Sequence, residues 1–116
     1  MTSEKKRTGA LQACLSKAQN LANLVEYSTD SIVSKAILDK SVGTITLFAF
    51  DKDQKLSEHT APYDAVVQVL DGSCQLTIDG QPKQVAAGEI IIMPGNIPHS
   101  VTATEKFKML LTMIRA

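Results

Sequence analysis

The chain has 116 residues, 44% of them hydrophobic and 21% charged, which is enough for one folded domain and too apolar for a disordered segment. Twelve basic and twelve acidic residues give a formal net charge of zero, which removes the electrostatic attraction that dominates binding to nucleic acids and anionic membranes. The longest apolar runs are far shorter than a membrane-spanning helix, and no hydrophobic segment opens the chain. These features predict a soluble, cytoplasmic protein without nucleic-acid or membrane partners.

The first 26 residues divide into two predicted segments. Residues 1–8 are polar and charged, which predicts a flexible terminus. Residues 9–26 are predicted to form one amphipathic helix, because apolar side chains recur there at helical spacing. This stripe covers one side of the domain or a dimer partner, and it consists of Leu11, Cys14, Leu15, Ala18, Leu21, Ala22 and Val25.

Residues 27–116 have the sequence pattern of an all-β domain, because short runs rich in Val, Ile, Thr and Phe are separated by turn residues. Asp71-Gly72 and Asp79-Gly80 are predicted to form tight hairpin turns, because Asp-Gly supplies the positive φ angles that such turns require. The predicted strands are Ile32–Leu38, Thr44–Phe50, Leu56–His59, Ala65–Leu70, Cys74–Ile78, Lys83–Val85, Glu89–Met93, His99–Ala103 and Phe107–Ile114.

Eight or nine short strands favour a closed architecture, because a flat sheet would leave long edges open to other chains. A barrel or a two-sheet jelly roll, with the helix packed outside it, is therefore the predicted fold. The two cysteines, Cys14 and Cys74, lie in unlike segments and form no CxxC motif, so each is predicted to be a buried, reduced thiol.

The chain contains two histidines, and each lies near a proline where a loop meets a strand. His59 begins the run His-Thr-Ala-Pro, and His99 follows Pro98 directly. If the strands that carry them are neighbours, both imidazoles point into the mouth of the barrel. There they are positioned to hold a metal ion or a ligand.

Two segments around these histidines resemble the two signature motifs of the small cupin superfamily. The second motif of that family is a glycine, five residues, a proline, one residue, a glycine, two residues, a histidine, three residues and an asparagine. Gly88, Pro94 and His99 match it, while Asn96 and Ala103 depart from it. In the first motif, His59 and Gly72 agree, while Asp53, Ala61 and Ala65 replace a glycine, a histidine and a glutamate.

This resemblance covers roughly residues 42–114 and implies an all-β double-stranded β-helix, the jelly-roll barrel of cupins. Cupin enzymes hold one divalent ion with three histidines and a carboxylate or amide, so the resemblance implies a metal site at His59 and His99. Fe, Mn, Ni, Cu and Zn are the candidate ions. Because Ala61 and Ala65 cannot coordinate a metal, three alternatives stay open: a complete site with a third donor from elsewhere, a weak two-histidine site, or no metal.

Four further residues are predicted to line the ligand pocket. Tyr63 shares the predicted inward face with His59, and its phenol is a candidate for ligand binding or proton transfer. Asp64 is the nearest carboxylate, although strand alternation points it outward unless Pro62 introduces a slip of one residue. Met93 and Met109 lie in segments predicted to line the barrel, where flexible thioethers either adapt to a ligand or fill the core.

The predicted function is binding of a small molecule in the barrel mouth, with a divalent metal held by His59 and His99 as one possibility. If the protein is an enzyme, the resemblance implies metal-assisted chemistry such as dioxygenation, isomerisation or sugar-acid processing. The alternative is a non-enzymatic ligand-binding or sensor module that has lost the metal site. Because cupins commonly pair through barrel edges and N-terminal segments, the resemblance also predicts a homodimer, to which the Leu11–Val25 stripe contributes.

Overall fold

The structure, a computed structural model, describes residues 9–115 of the chain. A short α-helix and one turn of 3-10 helix precede eight strands. In chain order these elements are α1 (Gly9–Cys14), the 3-10 helix Leu21–Leu24, β1 (Ile32–Lys40), β2 (Gly43–Phe50), β3 (Lys55–His59), β4 (Ala65–Ile78), β5 (Gln81–Ala86), β6 (Ile90–Met93), β7 (His99–Thr102) and β8 (Phe107–Ile114).

The strands form two antiparallel sheets that share the long strand β4. The first half of β4 pairs with β6 and β8 and extends through β2 to β1, while its second half pairs with β5 and β7 and extends to β3. We call the first group sheet A and the second group sheet B. This curled arrangement confirms the predicted all-β jelly roll.

The core lies between the inner faces of the two sheets, because alternate residues of each strand point inward. In β8, for example, Phe107 and Met109 are buried, and Phe107 stacks on Phe50 of β2 with ring centroids 4.6 Å apart.

Cys74 is fully buried in this core, and its burial raises the pKa of the thiol to about 11. Both cysteines are free, but Cys14 is only partly buried, unlike the prediction.

One of the two predicted Asp-Gly hairpins is confirmed and the other is wrong. Asp79 and Gly80 both have positive φ angles, 52° and 77°, and they join β4 to β5 as a tight turn. Asp71 and Gly72 instead lie inside β4, where the register against β8 shifts between Val69 and Asp71. Gly72 has a φ of 69° and serves this β-bulge, at which the strand passes from sheet A into sheet B.

The N-terminal segment differs from the single helix predicted over residues 9–26. Helix α1 ends at Cys14, because Ser16 has a left-handed φ of 58° and the Gln19 side chain donates to the Ala13 carbonyl at 2.8 Å. The chain then lies across the outer face of sheet A, where Val25 is fully buried with Leu47 and Ala49. The predicted flexible terminus, residues 1–8, lies outside the described residues.

Tyr27 holds the end of this segment to the barrel. Its hydroxyl donates to the Asp71 carboxylate at 2.6 Å, and the ammonium groups of Lys106 and Lys108 lie 5.4 and 5.0 Å from its ring centroid. Burial and the hydrogen bond to Asp71 raise the pKa of the phenol. The apolar stripe of residues 9–26 therefore covers its own domain in part.

No helix within residues 9–115 has the length and apolar character needed to cross a bilayer.

Candidate functional site

His59 and His99 lie side by side at one end of sheet B. His59 ends the edge strand β3, His99 begins the neighbouring strand β7, and the two residues are paired in register. Their rings meet edge to face, with centroids 4.4 Å apart. His59 is exposed, whereas His99 is only 5% exposed. One ring of the pair therefore contacts solvent, and the other lies at the end of the core.

A bulge in β3 gives His59 its inward direction. Leu56 pairs with Val101 and His59 pairs with His99, so three steps along β3 match two steps along β7. Because Leu56 packs against the core, an unbroken alternation would turn His59 to the opposite face. The extra residue within 57–58 restores the inward orientation and brings the two imidazoles together.

Both rings hold their Nδ1 atoms against the backbone. His59 Nδ1 lies 2.8 Å from the Ser57 carbonyl oxygen, and His99 Nδ1 lies 3.1 Å from the Ile97 carbonyl oxygen. Since a carbonyl oxygen only accepts hydrogen bonds, each Nδ1 donates its proton. In the neutral form, each Nε2 therefore carries a lone pair that can accept a hydrogen bond.

Two loops that lead to the histidines are fastened together. The segment 60–64 follows His59, and the segment 94–98 precedes His99. The Asn96 amide donates to the Ala61 carbonyl at 2.6 Å, and the Gly95 amide donates to the Asp64 carboxylate at 2.8 Å. At its far end the second loop is held by the Asp79 amide, which donates to the Pro98 carbonyl at 2.8 Å. These bonds fix the positions from which both imidazoles project.

We expect Asp64→Ala to lower the free energy of unfolding by about 1 kcal/mol, because the Gly95 amide loses its acceptor. Asp64→Asn keeps an acceptor oxygen at the same place and is expected to lose less than half as much. Urea unfolding of both variants checks this prediction. Unchanged stability in Asp64→Ala would show that the carboxylate does not hold the two loops together.

The four other residues predicted to line the pocket differ in burial and in their position along the barrel. Tyr63 is half-buried in the loop 60–64, and Met93 is buried at the end of β6 next to Ala65. Topology places these two at the same end of the barrel as the histidines. Asp64 is exposed and engaged with Gly95, whereas Met109 is 1% exposed in the middle of β8. Their roles toward a ligand stay predictions.

Sequence reasoning missed Ile78, which pairs with His99 from the β4 side. His59, His99 and Ile78 form one row across three adjacent strands, and Ile78 packs against the core. The Asp79-Gly80 turn directly after Ile78 was the available signal, since it places Ile78 at the end of a strand. An apolar side chain therefore lies beside the buried imidazole.

The donor set does not fit a resident divalent metal. Within residues 9–115, no group of three His, Cys, Asp or Glu side chains is arranged to hold an ion. Ala61 and Ala65, at the positions of the missing motif ligands, offer no side-chain donor. Two imidazoles fall short of the three protein ligands that catalytic zinc and facial-triad iron sites use.

The chain is similar in sequence and structure to known proteins. A family model of the cupin domain matches residues 46–115. A conserved protein of unknown function from Streptococcus pyogenes is 35% identical, with a TM-score of 0.85 over 88% of this chain and 90% of that one. A cupin 2 conserved barrel domain protein from Leptotrichia buccalis is 46% identical, with a TM-score of 0.81 over 83% of this chain and 47% of that one.

A third solved structure, a cupin superfamily protein from Desulfitobacterium hafniense, shares the fold at 22% identity. Its TM-score is 0.85, and the match covers 98% of this chain and all of that one. The chain thus spans about half the length of the Leptotrichia relative and nearly the whole of the other two. A search among curated proteins finds no match.

Proposed function

The chain belongs to the cupin domain family, and we propose that it binds a small organic molecule at the barrel mouth through His59 and His99. One observation carries this proposal. The Nδ1 atoms of both rings are hydrogen-bonded to backbone carbonyls, so the Nε2 lone pairs of two neighbouring rings remain as hydrogen-bond acceptors. Two acceptors oriented by the backbone, one on a buried ring and one on an exposed ring, suit a recognition site.

The direction of these hydrogen bonds defines the ligand class. Because both neutral imidazoles accept at Nε2, the ligand must bring the donors, and hydroxyl groups are the simplest. Ile78 pairs with His99, and Met93 lies at the same end of the barrel, so these apolar residues favour an apolar body on that ligand. We therefore propose a small, largely apolar molecule with one or two hydroxyl groups.

This function does not require a metal. The resemblance to cupins implied Fe, Mn, Ni, Cu or Zn, but the donor set of residues 9–115 falls short of a resident ion. The proposal is therefore the binding module rather than a metal-assisted enzyme. Its chemistry rests on hydrogen bonds from the ligand to two imidazoles.

The test compares two probes that share one ring and one methyl group and differ at the two ring oxygens. 4-Methylcatechol carries two vicinal hydroxyl donors, whereas its dimethyl ether carries none. We expect calorimetry on EDTA-treated protein to find 4-methylcatechol bound more tightly by roughly thirtyfold, since each neutral hydrogen bond contributes about 1 kcal/mol. Equal affinities for the two probes would contradict the proposal, and binding that disappears with EDTA would assign the site to a metal instead.

A further inference from the structure

A cavity of about 400 Å³ lies between helix α1 and strand β1 of sheet A. This volume is within the range of small-molecule pockets, roughly 300–1,000 Å³. The two histidines belong to β3 and β7 of sheet B, so the cavity and the histidine pair are on different sheets. Small or apolar residues and one cation line the cavity, namely Gly9, Ala10, Ala13, Leu24, Lys35 and Ala36.

The cavity exists because α1 presents small residues to β1. Gly9, Ala10 and Ala13 make up half of this six-residue helix, and none of them has a side chain that extends beyond Cβ. The helix contacts the strand but does not fill the space beside it. Leu24 lines the same space and packs against the buried cluster that contains Leu47, so this part of the wall is apolar and held by the core.

Lys35 is the one charged residue that lines the cavity, and it lies on an apolar face of the sheet. It is paired in register with the fully buried Leu47 of β2, and directly opposed residues share a face. Val33 and Ile37, two residues before and after it, pack against the same buried cluster. Since the stem of a lysine covers apolar surface while its ammonium reaches solvent, one cation lies at the edge of an apolar cavity.

The Lys35 ammonium has no hydrogen-bond or ion-pair partner in the part of the chain that the structure describes. Two other lysines near the N-terminal segment are engaged. Lys108 donates to the Ala22 carbonyl at 2.7 Å, and both Lys106 and Lys108 lie over the ring of Tyr27. These two lysines hold the segment to the barrel, whereas the charge of Lys35 is available to a ligand.

We propose that this cavity binds a monocarboxylic acid with an apolar chain, such as a fatty acid of medium length. Its carboxylate pairs with Lys35, and its chain lies among Ala10, Ala13 and Leu24. One ammonium group matches one negative charge, and the other lining residues offer no side-chain donor or acceptor to a sugar or a polyphosphate. This site is independent of the histidine pair, whose proposed ligand brings hydroxyl donors.

The experiment measures the binding of octanoate and of 1-octanol by calorimetry at low ionic strength. The two probes have equal numbers of carbon atoms and differ in the charge of the head group. We expect octanoate to bind roughly fivefold more tightly, because an exposed ion pair contributes at most about 1 kcal/mol. Lys35→Met is expected to remove this preference. Lys40→Met is the matched control and should keep it, since Lys40 is exposed on the same strand but does not line the cavity.

A second pair of variants tests the cavity itself. Ala13→Phe fills it and is expected to weaken the binding of both probes at least tenfold, with a melting curve to confirm the fold. Gln12→Phe places the same side chain at the neighbouring, exposed position that does not line the cavity, so both affinities should stay unchanged.

The variant H59F/H99F separates this proposal from the one for the barrel mouth. We expect it to keep the octanoate affinity of the wild type, and a loss in this variant would assign octanoate to the mouth and overturn the cavity site. Equal wild-type affinities for the two probes would also overturn it. So would equal losses in Lys35→Met and Lys40→Met, or octanoate binding that occurs only after residues 1–8 are removed.

Discussion

Gly72→Ala is expected to lower the free energy of unfolding by about 3 kcal/mol or more. Gly72 has a φ of 69°, and this left-handed conformation alone costs an L-residue about 1–2 kcal/mol. In addition, a Cβ at this position would overlap the Lys106 carbonyl oxygen. Because that oxygen belongs to the backbone, relief requires β4 and the turn before β8 to move apart. Urea unfolding measures the loss.

Gly80→Ala is the matched control for this prediction. Gly80 has a similar φ of 77°, but no heavy atom lies within 4 Å of the Cβ that would be added. We expect a loss of about 1–2 kcal/mol from the backbone conformation alone. Equal losses at the two glycines would show that the close approach at the bulge does not contribute.

Replacing both histidines by phenylalanine is expected to abolish the preference for 4-methylcatechol over its dimethyl ether. His59→Phe and His99→Phe each keep a ring in place but remove one Nε2 acceptor. Since each hydrogen bond contributes about 1 kcal/mol, each single variant should lose about fivefold in catechol affinity and the double variant about thirtyfold. Isothermal calorimetry with both probes measures these changes.

The dimethyl ether also serves as the internal control for the histidine variants. It makes no hydrogen bond to either Nε2, so its affinity is expected to stay constant. A melting curve of His99→Phe checks the fold, because His99 is buried whereas His59 is exposed. Parallel losses for both probes would mean that the histidines only shape the mouth and do not bind hydroxyl groups.

The strands could be predicted because alternation and turn residues are local properties of the sequence. The Asp71-Gly72 error shows where local reasoning ends. Asp-Gly supplies positive φ angles both for a hairpin and for a bulge, and at Asp79-Gly80 the same dipeptide does form a hairpin. Only the long-range pairing of β4 with β8 decides that the strand continues through Gly72.

The N-terminal helix was overpredicted for a related reason. Helical spacing of apolar residues is satisfied over residues 11–25, but packing on sheet A overrides this preference. Leu21, Leu24 and Val25 contact the sheet only because the chain turns at Ser16. Tertiary packing, which the periodicity does not contain, therefore decides where α1 ends.

The meeting of the two histidines could be predicted, but the chemistry of the pair could not. Both imidazoles were expected at the barrel mouth if their strands were neighbours, and the structure pairs His59 with His99 on adjacent strands. The bulge at 57–58 and the carbonyls of Ser57 and Ile97 are backbone features without a residue signature. These features orient the rings and leave Nε2 of each neutral ring as the hydrogen-bond acceptor.

The most direct test of this account is the tautomer of each neutral imidazole, read from long-range 1H–15N spectra of the protein labelled at histidine. We predict that both rings carry their proton on Nδ1 and a bare Nε2, with a nuclear Overhauser effect between the two rings. A proton on Nε2 of either ring, or no contact between the rings, would contradict the proposed pair of acceptors.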